Sequence, residues 1–287
     1  MSSYVLGIDA GATKVVARLA SIDGEQQWQE QAGSASLTNQ RAEAIQRICD
    51  ITQSLLEKSG VSAEQVIWVC GIAGACNDQA KAELEQAVIK LGLASVEVTT
   101  DAITSLYGAG NGEPMIVVAV GTGSVAMRLD HEGVAKQFGG WGFVAGDQGG
   151  GADIGRNLLK ACLTIFDAGS FEDDELVMAV FSEVGNNKAD ILNWISAASP
   201  ADFGRLARII IEHPENPLSL KLLAQAGNDI TALIRGCQTH LALNVCLVGG
   251  LADYIAPLLH AELQPQLTVP KGDSLDGAIW LAKQKIE

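Results

Sequence analysis

The sequence predicts an α/β protein in which one strand–turn–strand unit occurs twice. Three observations carry that expectation: apolar strands fall in two blocks with amphipathic helices between and after them, each block opens on a buried strand that runs into a Gly/Thr bend, and a glycine-rich stretch separates the blocks.

In the first block, residues 4–9, about 14–20 and about 26–31 read as strands, with Asp23-Gly24 as a hairpin turn. Ile45, Ile48, Thr52, Leu55 and Leu56 lie at helical spacing between about 42 and 58, and Gly60 follows as a stop. Val66–Val69 is a short buried strand, a helix over about 77–90 ends at Gly92, and 96–99 is strand again. Asp101 opens a helix through Tyr107 that runs out in Gly108, Gly110 and Gly112. That stretch, closed by Pro114, places the expected boundary between domains 1–112 and 113–287. The second block repeats the theme: strand 115–120, bend 121–124, strand 125–129, turn 130–133. Helices are expected over about 152–167, 172–184, 188–197 and 201–212, with a long one opened by Pro217. A strand at 245–248 and a last helix over about 275–285 complete the chain, that helix packing back on the first domain.

Of the 287 residues, 48% are hydrophobic and 18% charged, enough for a sizeable core and contrary to disorder. The net charge of -15 disfavours nucleic acid and anionic membranes as partners. A nucleotide would have to be held by backbone N–H groups and a divalent cation. No apolar run approaches the roughly 18 residues of a membrane helix, and no basic, apolar signal segment precedes Tyr4, so a cytoplasmic protein is expected. Six scattered cysteines without a CxxC read as small buried hydrophobes in a reducing compartment. The four dispersed histidines argue against a structural zinc site.

The strongest motif is Gly7-Ile8-Asp9-Ala10-Gly11-Ala12-Thr13-Lys14, an aspartate ending a strand before a bend of small residues. Such a bend is either simple hairpin chemistry or a phosphate cradle in which successive N–H groups approach the ligand and Asp9 faces Mg²⁺. Gly121-Thr122-Gly123-Ser124 offers the same physics. It also fits GxGxxA, but a dinucleotide fold needs a helix next, and Val125–Leu129 reads as a strand. Val248-Gly249-Gly250-Leu251, at a strand end, suits close approach to a ring or ribose. Asp101 is either an N-cap accepting from the Ile103 or Thr104 amide or a functional carboxylate at a strand's C-terminal end. Residues 139–151 hold seven glycines around Trp141 and Asp147, which suggests a loop lying against a ligand.

Together, Asp9-x-Gly11-x-Thr13, Gly121–Ser124 and Val248–Leu251 resemble the phosphate-1, phosphate-2 and adenosine elements of the actin/hexokinase superfamily, in the same order. Gly139-Gly140-Trp141-Gly142 with Gly146-Asp147-Gln148-Gly149-Gly150-Gly151 resembles the sugar-site segment of its N-acetylglucosamine kinase and glucosamine kinase branch, of the BadF/BadG/BcrA/BcrD type. The likeness spans essentially the whole chain, with Pro200–Gly204 and Asp276–Ala278 included. Gln148 and Gly150 depart from the branch's usual Glu and Ser, and Phe138 stands where some members have Cys.

The resemblance implies two ribonuclease-H-like (actin-like ATPase) domains with a central cleft, ATP and Mg²⁺ as cofactors, a sugar as substrate and a homodimer. It implies Asp101 as general base, and Asp9 as the Mg²⁺ contact through water. Gly11, Ala12, Thr13, Lys14, Gly121, Thr122, Gly123 and Ser124 would surround the phosphates, with Gly249 and Gly250 at the adenosine. Lys14 either reaches a phosphate or is a solvated strand lysine. Asn39, Gly74, Asp101, Thr122, Gly140, Trp141 and Asp147 match sugar-site positions, Thr122 facing both phosphate and sugar. The expected reaction phosphorylates an amino sugar at O6. Alternatives are a kinase for another hexose or an anhydro-sugar, an activator ATPase of electron transfer, and a non-catalytic sensor.

Overall fold

The computed structural model describes residues 3–11, 14–38, 40–169 and 174–286. Its strands are β1 (Tyr4–Ala10), β2 (Lys14–Ser21), β3 (Gln27–Gly33), β4 (Val66–Ile72), β5 (Ser95–Thr99), β6 (Met115–Val120), β7 (Ser124–Leu129), β8 (Ala135–Gly139) and β9 (Asn244–Val248). The α-helices are α1 (Arg41–Ser59), α2 (Asp78–Ile89), α3 (Asp101–Gly110), α4 (Gly151–Asp167), α5 (Glu175–Val184), α6 (Lys188–Ala197), α7 (Pro200–Glu212), α8 (Pro217–Cys237), α9 (Ala252–Ile255) and α10 (Ser274–Lys283).

The chain divides into two units, each with its own sheet and core. Unit 1 holds Met1–Met115, His131–Ala135 and Val269–Glu287, and unit 2 holds Ile116–Asp130 and Lys136–Thr268. The chain first leaves unit 1 after Met115, and the segment carrying α10 belongs to unit 1.

Unit 1 is built on a sheet of order β3-β2-β1-β4-β5. β1 pairs antiparallel with β2 (Leu6 opposite Leu19) and parallel with β4 (Leu6 opposite Trp68), and β4 pairs parallel with β5. Alternation along β1 explains the two faces. Leu6 and Ile8 join Ile48 and Leu55 of α1 in one cluster, while Val5 lies in a second cluster with Ala278 and Ala282 of α10. α3 and α10 touch backbone to backbone, which only glycine permits. A Cβ on Gly108 would lie 1.8 Å from the Asp273 carbonyl oxygen, and one on Gly277 would lie 1.9 Å from that of Thr104. This contact carries Asp273 to the face of α3.

Unit 2 repeats the arrangement as β8-β7-β6-β9. Ile116, Val118 and Val120 of β6 share one core with Leu158 of α4, Phe181 of α5, Ile210 of α7 and Ile230 of α8. Strand β8 is absent from the sequence reading because Ala135–Gly139 shows no apolar alternation. The short α9 also escapes it, since four residues show no period. The helix expected from 172 starts at Glu175, capped by Asp174, and residues 170–173 lie outside the described ones. Asp101 is not the N-cap of α3. Thr100 takes that place and its side chain accepts from the Ile103 amide, because a hydroxyl one residue earlier already has extended backbone geometry. Of the six cysteines Cys76 is exposed, contrary to the buried reading, because it sits in the turn ahead of α2. Among the described residues no helix is long and apolar enough to cross a membrane.

Within unit 1 the fully buried Trp68 donates its indole N–H to Thr52 Oγ at 3.1 Å, and that hydroxyl donates to the Ile48 carbonyl at 2.8 Å. Thr52→Val keeps the shape and removes the acceptor, leaving a buried N–H unpaired. It should lower stability by about 1–3 kcal/mol in chemical denaturation, whereas Thr52→Ser should cost less than half as much.

Candidate functional site

Three parallel strands of unit 1 end on the same edge of the sheet, and the candidate residues stand at those ends. Asp9 is near the end of β1, Gly74 follows β4, and Asp101 begins α3 directly after β5. Open sheets place their crevices outside the carboxyl ends of their strands. Gly11 closes the bend after β1 by donating its amide to the Lys14 carbonyl at 3.0 Å. Lys14 is exposed at the head of β2. Gly74, at φ 91°, passes so close to Leu37 and Thr38 that a Cβ would lie 2.7 Å from Thr38 Oγ. Ala12, Thr13 and Asn39 lie outside the described residues.

The edge is electrostatically loaded. Burial pushes the Asp9 carboxyl up from 3.8 to about 6, and the negative charges of Asp101 and Asp273 add to the rise while Lys14 opposes it. Asp101 is raised as well, chiefly by burial, against the lowering effect of the Ala102 amide that donates to its Oδ1 at 3.0 Å. Asp273 was not anticipated as a member of this group. Its visible signal was only a capping box with Asp276 at the start of α10, since its neighbours come from the other end of the chain.

In unit 2 the Gly121–Ser124 bend is tied to the head of α4. The amides of Gly151 and Ala152 donate to the carbonyls of Gly121 and Thr122, both at 2.8 Å. Each of those carbonyls shares a planar trans peptide with the next residue's N–H, so the amides of Thr122 and Gly123 point away from the helix. A cavity of about 440 Å³ adjoins the bend, lined among others by Gly121, Thr122, Gly250, Arg208 and Tyr254. Gly121 and Gly250 have nothing within 4 Å of where a Cβ would stand. Gly249 does not line it. At φ 103° it lies so close to β6 that a Cβ would stand 2.5 Å from the Val120 carbonyl oxygen, which makes glycine necessary there for packing. Arg208 and Glu212, one turn apart on α7, were missed because an exposed helix face shows no pattern that marks a ligand.

A second recess of about 360 Å³ brings together Gly123, Ser124, Gly140, Gly142 and Asp147. Ser124 donates to the Gln148 carbonyl at 2.7 Å. Asp147 sits at φ 62°, an unusual conformation for a residue with a side chain, and its Oδ1 accepts from the Gly142 amide at 3.3 Å. Its Oδ2 occupies the space a Cβ on Gly123 would need. Trp141 lies beside this recess in sequence but is 80% exposed and lines neither cavity.

Residues 6–266 match the family model of the BadF/BadG/BcrA/BcrD ATPases. The chain belongs to the BadF/BadG/BcrA/BcrD ATPase family. It is 29% identical to the glucosamine kinase GspK of Vibrio cholerae over 98% of this chain and 96% of that one. It is 32% identical to an N-acetylmuramic acid/N-acetylglucosamine kinase of Clostridium acetobutylicum over 99% of both. A crystal structure provisionally named as an N-acetylglucosamine kinase, from Chromobacterium violaceum, superposes with a TM-score of 0.84 at 31% identity over 99% of both chains. The architecture is the two-domain actin-like ATPase fold.

Within this ATPase family member the donors suit Mg²⁺ held with its waters. Among the described residues no group of three or more His, Cys, Asp or Glu could form a protein cage for a metal. Asp9 instead offers one carboxylate whose charge two neighbouring acids disfavour, which a bound divalent cation would relieve.

Those same charges predict a pH effect on stability. An acid raised in the folded state binds more protons folded than unfolded between pH 3.8 and about 6. Stability is therefore lost as pH rises through that window, and the loss is complete above it. Asp9→Asn removes the ionisation. With metal chelated, it should be more stable than wild type at pH 7.5 by roughly 2 kcal/mol after allowance for solvent screening, the advantage vanishing near pH 4. Thermal melts at both pH values check this.

Proposed function

We propose that this chain transfers the γ-phosphoryl group of ATP to the O6 hydroxyl of an amino sugar, glucosamine or N-acetylglucosamine. The observation that carries the reading is Asp101, a raised carboxylate at the C-terminal end of a parallel strand, with Asp9 close enough to feel its charge. Support for the substrate class comes from full-length likeness to a glucosamine kinase and to an N-acetylmuramic acid/N-acetylglucosamine kinase.

Phosphoryl transfer passes through a loose transition state, so catalysis rests on alignment and neutralisation of charge rather than on a strong base. Asp101 orients the attacking hydroxyl and receives its proton late. The Ala102 amide on Oδ1 fixes the plane of that carboxylate. Thr100 caps the Ile103 amide, so the Asp101 side chain is bound to the helix end through the Ala102 amide alone among the hydrogen bonds described, and Oδ2 is left for the substrate. Asp9 would hold Mg²⁺ through water, and the cation would supply charge neutralisation for the phosphates as transfer proceeds. The Thr122 and Gly123 amides, turned away from α4, donate to phosphate, and the cavity beside Gly250 takes the adenosine. Asp147 accepts hydroxyl hydrogen bonds from the sugar.

An ADP-release assay with Mg-ATP over glucosamine, N-acetylglucosamine, N-acetylmuramic acid and glucose tests the reading, with the product's phosphorylated position read by NMR. Turnover greatest with an amino sugar and a 6-phosphate product is expected. No sugar-dependent ADP release, or glucose as the best acceptor, would refute it. Asp101→Ala should stay folded and bind nucleotide while turnover falls at least ~10³-fold. A loss smaller than ~tenfold would remove Asp101 from the base role.

A further inference from the structure

We propose that Asp153 and Arg156, side by side on α4, are positioning residues that grip both ends of segment 143–149 and thereby set Asp147 for the sugar; this rests on Asp147 serving the sugar. The two side chains lie three residues apart and so share one helix face. At one end, Asp153 accepts the Gly149 amide on Oδ2 at 3.2 Å. At the other, Arg156 donates to the Phe143 carbonyl at 3.3 Å, and its guanidinium lies 5.0 Å from the centre of the Phe143 ring. Arg156 also donates to Asp153 Oδ1, so the two grips form one ion pair.

The pair is expensive as a mere stability element. Asp153 is only 5% exposed, and Arg156 Nε is buried with no hydrogen-bond partner. Burying the Asp153 carboxylate offsets much of what its pairing with the half-buried Arg156 gains, and an orphaned donor costs more. What it does secure is shape. The loop also closes on itself beside the Phe143 grip, Gly146 donating to the Gly142 carbonyl at 2.7 Å and Gly142 to Asp147 Oδ1 at 3.3 Å. Asp147, which closes this ring, stands at positive φ, a conformation that persists only where the surroundings over-determine it. The Phe143 ring also packs against Phe203, with ring centres 5.2 Å apart. The hydrogen bonds that tie this helix to the Gly121–Ser124 bend come from the main-chain amides of Gly151 and Ala152, which side-chain substitutions at 153 and 156 leave in place. A lysine at 156 keeps the charge but cannot reproduce the planar contacts to Asp153, the Phe143 carbonyl and the ring together.

The test is a double-mutant cycle read in steady-state kinetics against the best sugar. Arg156→Gln and Asp153→Asn should each raise the sugar KM at least ~tenfold, leave the ATP KM within about twofold and change kcat less than ~fivefold. Arg156→Lys should recover only part of the sugar KM. Added to Asp147→Ala, Arg156→Gln should raise the sugar KM by less than about twofold further, because there is no carboxylate left to position. If Asp147→Ala raises the sugar KM while both α4 variants leave it unchanged, or if the α4 variants raise both KM values in parallel, the grip is refuted. The same holds if the effects of Arg156→Gln and Asp147→Ala multiply. If Asp147→Ala itself leaves the sugar KM unchanged, the assignment of Asp147 to the sugar fails and takes the grip with it. Should Arg156→Gln not fold, Arg156→Lys carries the same comparison.

Discussion

The amides of Gly151 and Ala152 donate to the carbonyls of Gly121 and Thr122, and unit 2 is arranged around that pair of bonds. A helix begins with amides that have no partner inside it. Here the bend after β6 supplies the partners, so the strand end, the bend and α4 become one rigid piece. The bend cannot relax without exposing two helix amides, and α4 cannot shift without straining the bend. Everything else proposed for unit 2 hangs from this joint: the cavity beside Gly121, the outward amides of Thr122 and Gly123, and the loop held by side chains on the first two turns of α4.

Unit 1 is governed by a different constraint, the accumulation of negative charge at one sheet edge. Asp9, Asp101 and Asp273 arrive from three distant parts of the chain, and the folded protein bears the cost in a raised Asp9. Under the proposed function that cost is recovered, because a cation supplied with a nucleotide would turn repulsion into attraction. The acidity of the whole chain fits the same design. With few bases to spare, phosphate recognition under the proposed function would fall to main-chain amides and a metal, both of which can work at a net charge of -15.

The same chemical logic divides the glycines. Gly108 and Gly277 allow two helices to touch, Gly249 allows a strand end to pass a carbonyl, and Gly121 and Gly250 leave open space beside a cavity. All of them look alike in the sequence. Only the identity of the neighbour separates a packing glycine from one that faces a ligand.

Much was legible before any coordinates: the two strand–turn–strand units, the helices with a 3.6-residue period, the place of Asp9 and Asp101 at strand ends, and the loop around Asp147. Those features are local, encoded in alternation, spacing and turn chemistry within a few residues. Strand β8 was not legible, since its five residues pair through backbone hydrogen bonds that leave no apolar pattern. Nor was the role of Thr100, which differs from Asp101 as a cap by one register position. The tertiary structure alone decided that Asp273 joins Asp9 and Asp101, that Arg208 lines the same cavity as Gly121, and that Asp153 and Arg156 hold the loop. Each of these joins residues that are distant in sequence or unmarked by any period, so it arises only when packing brings their elements together.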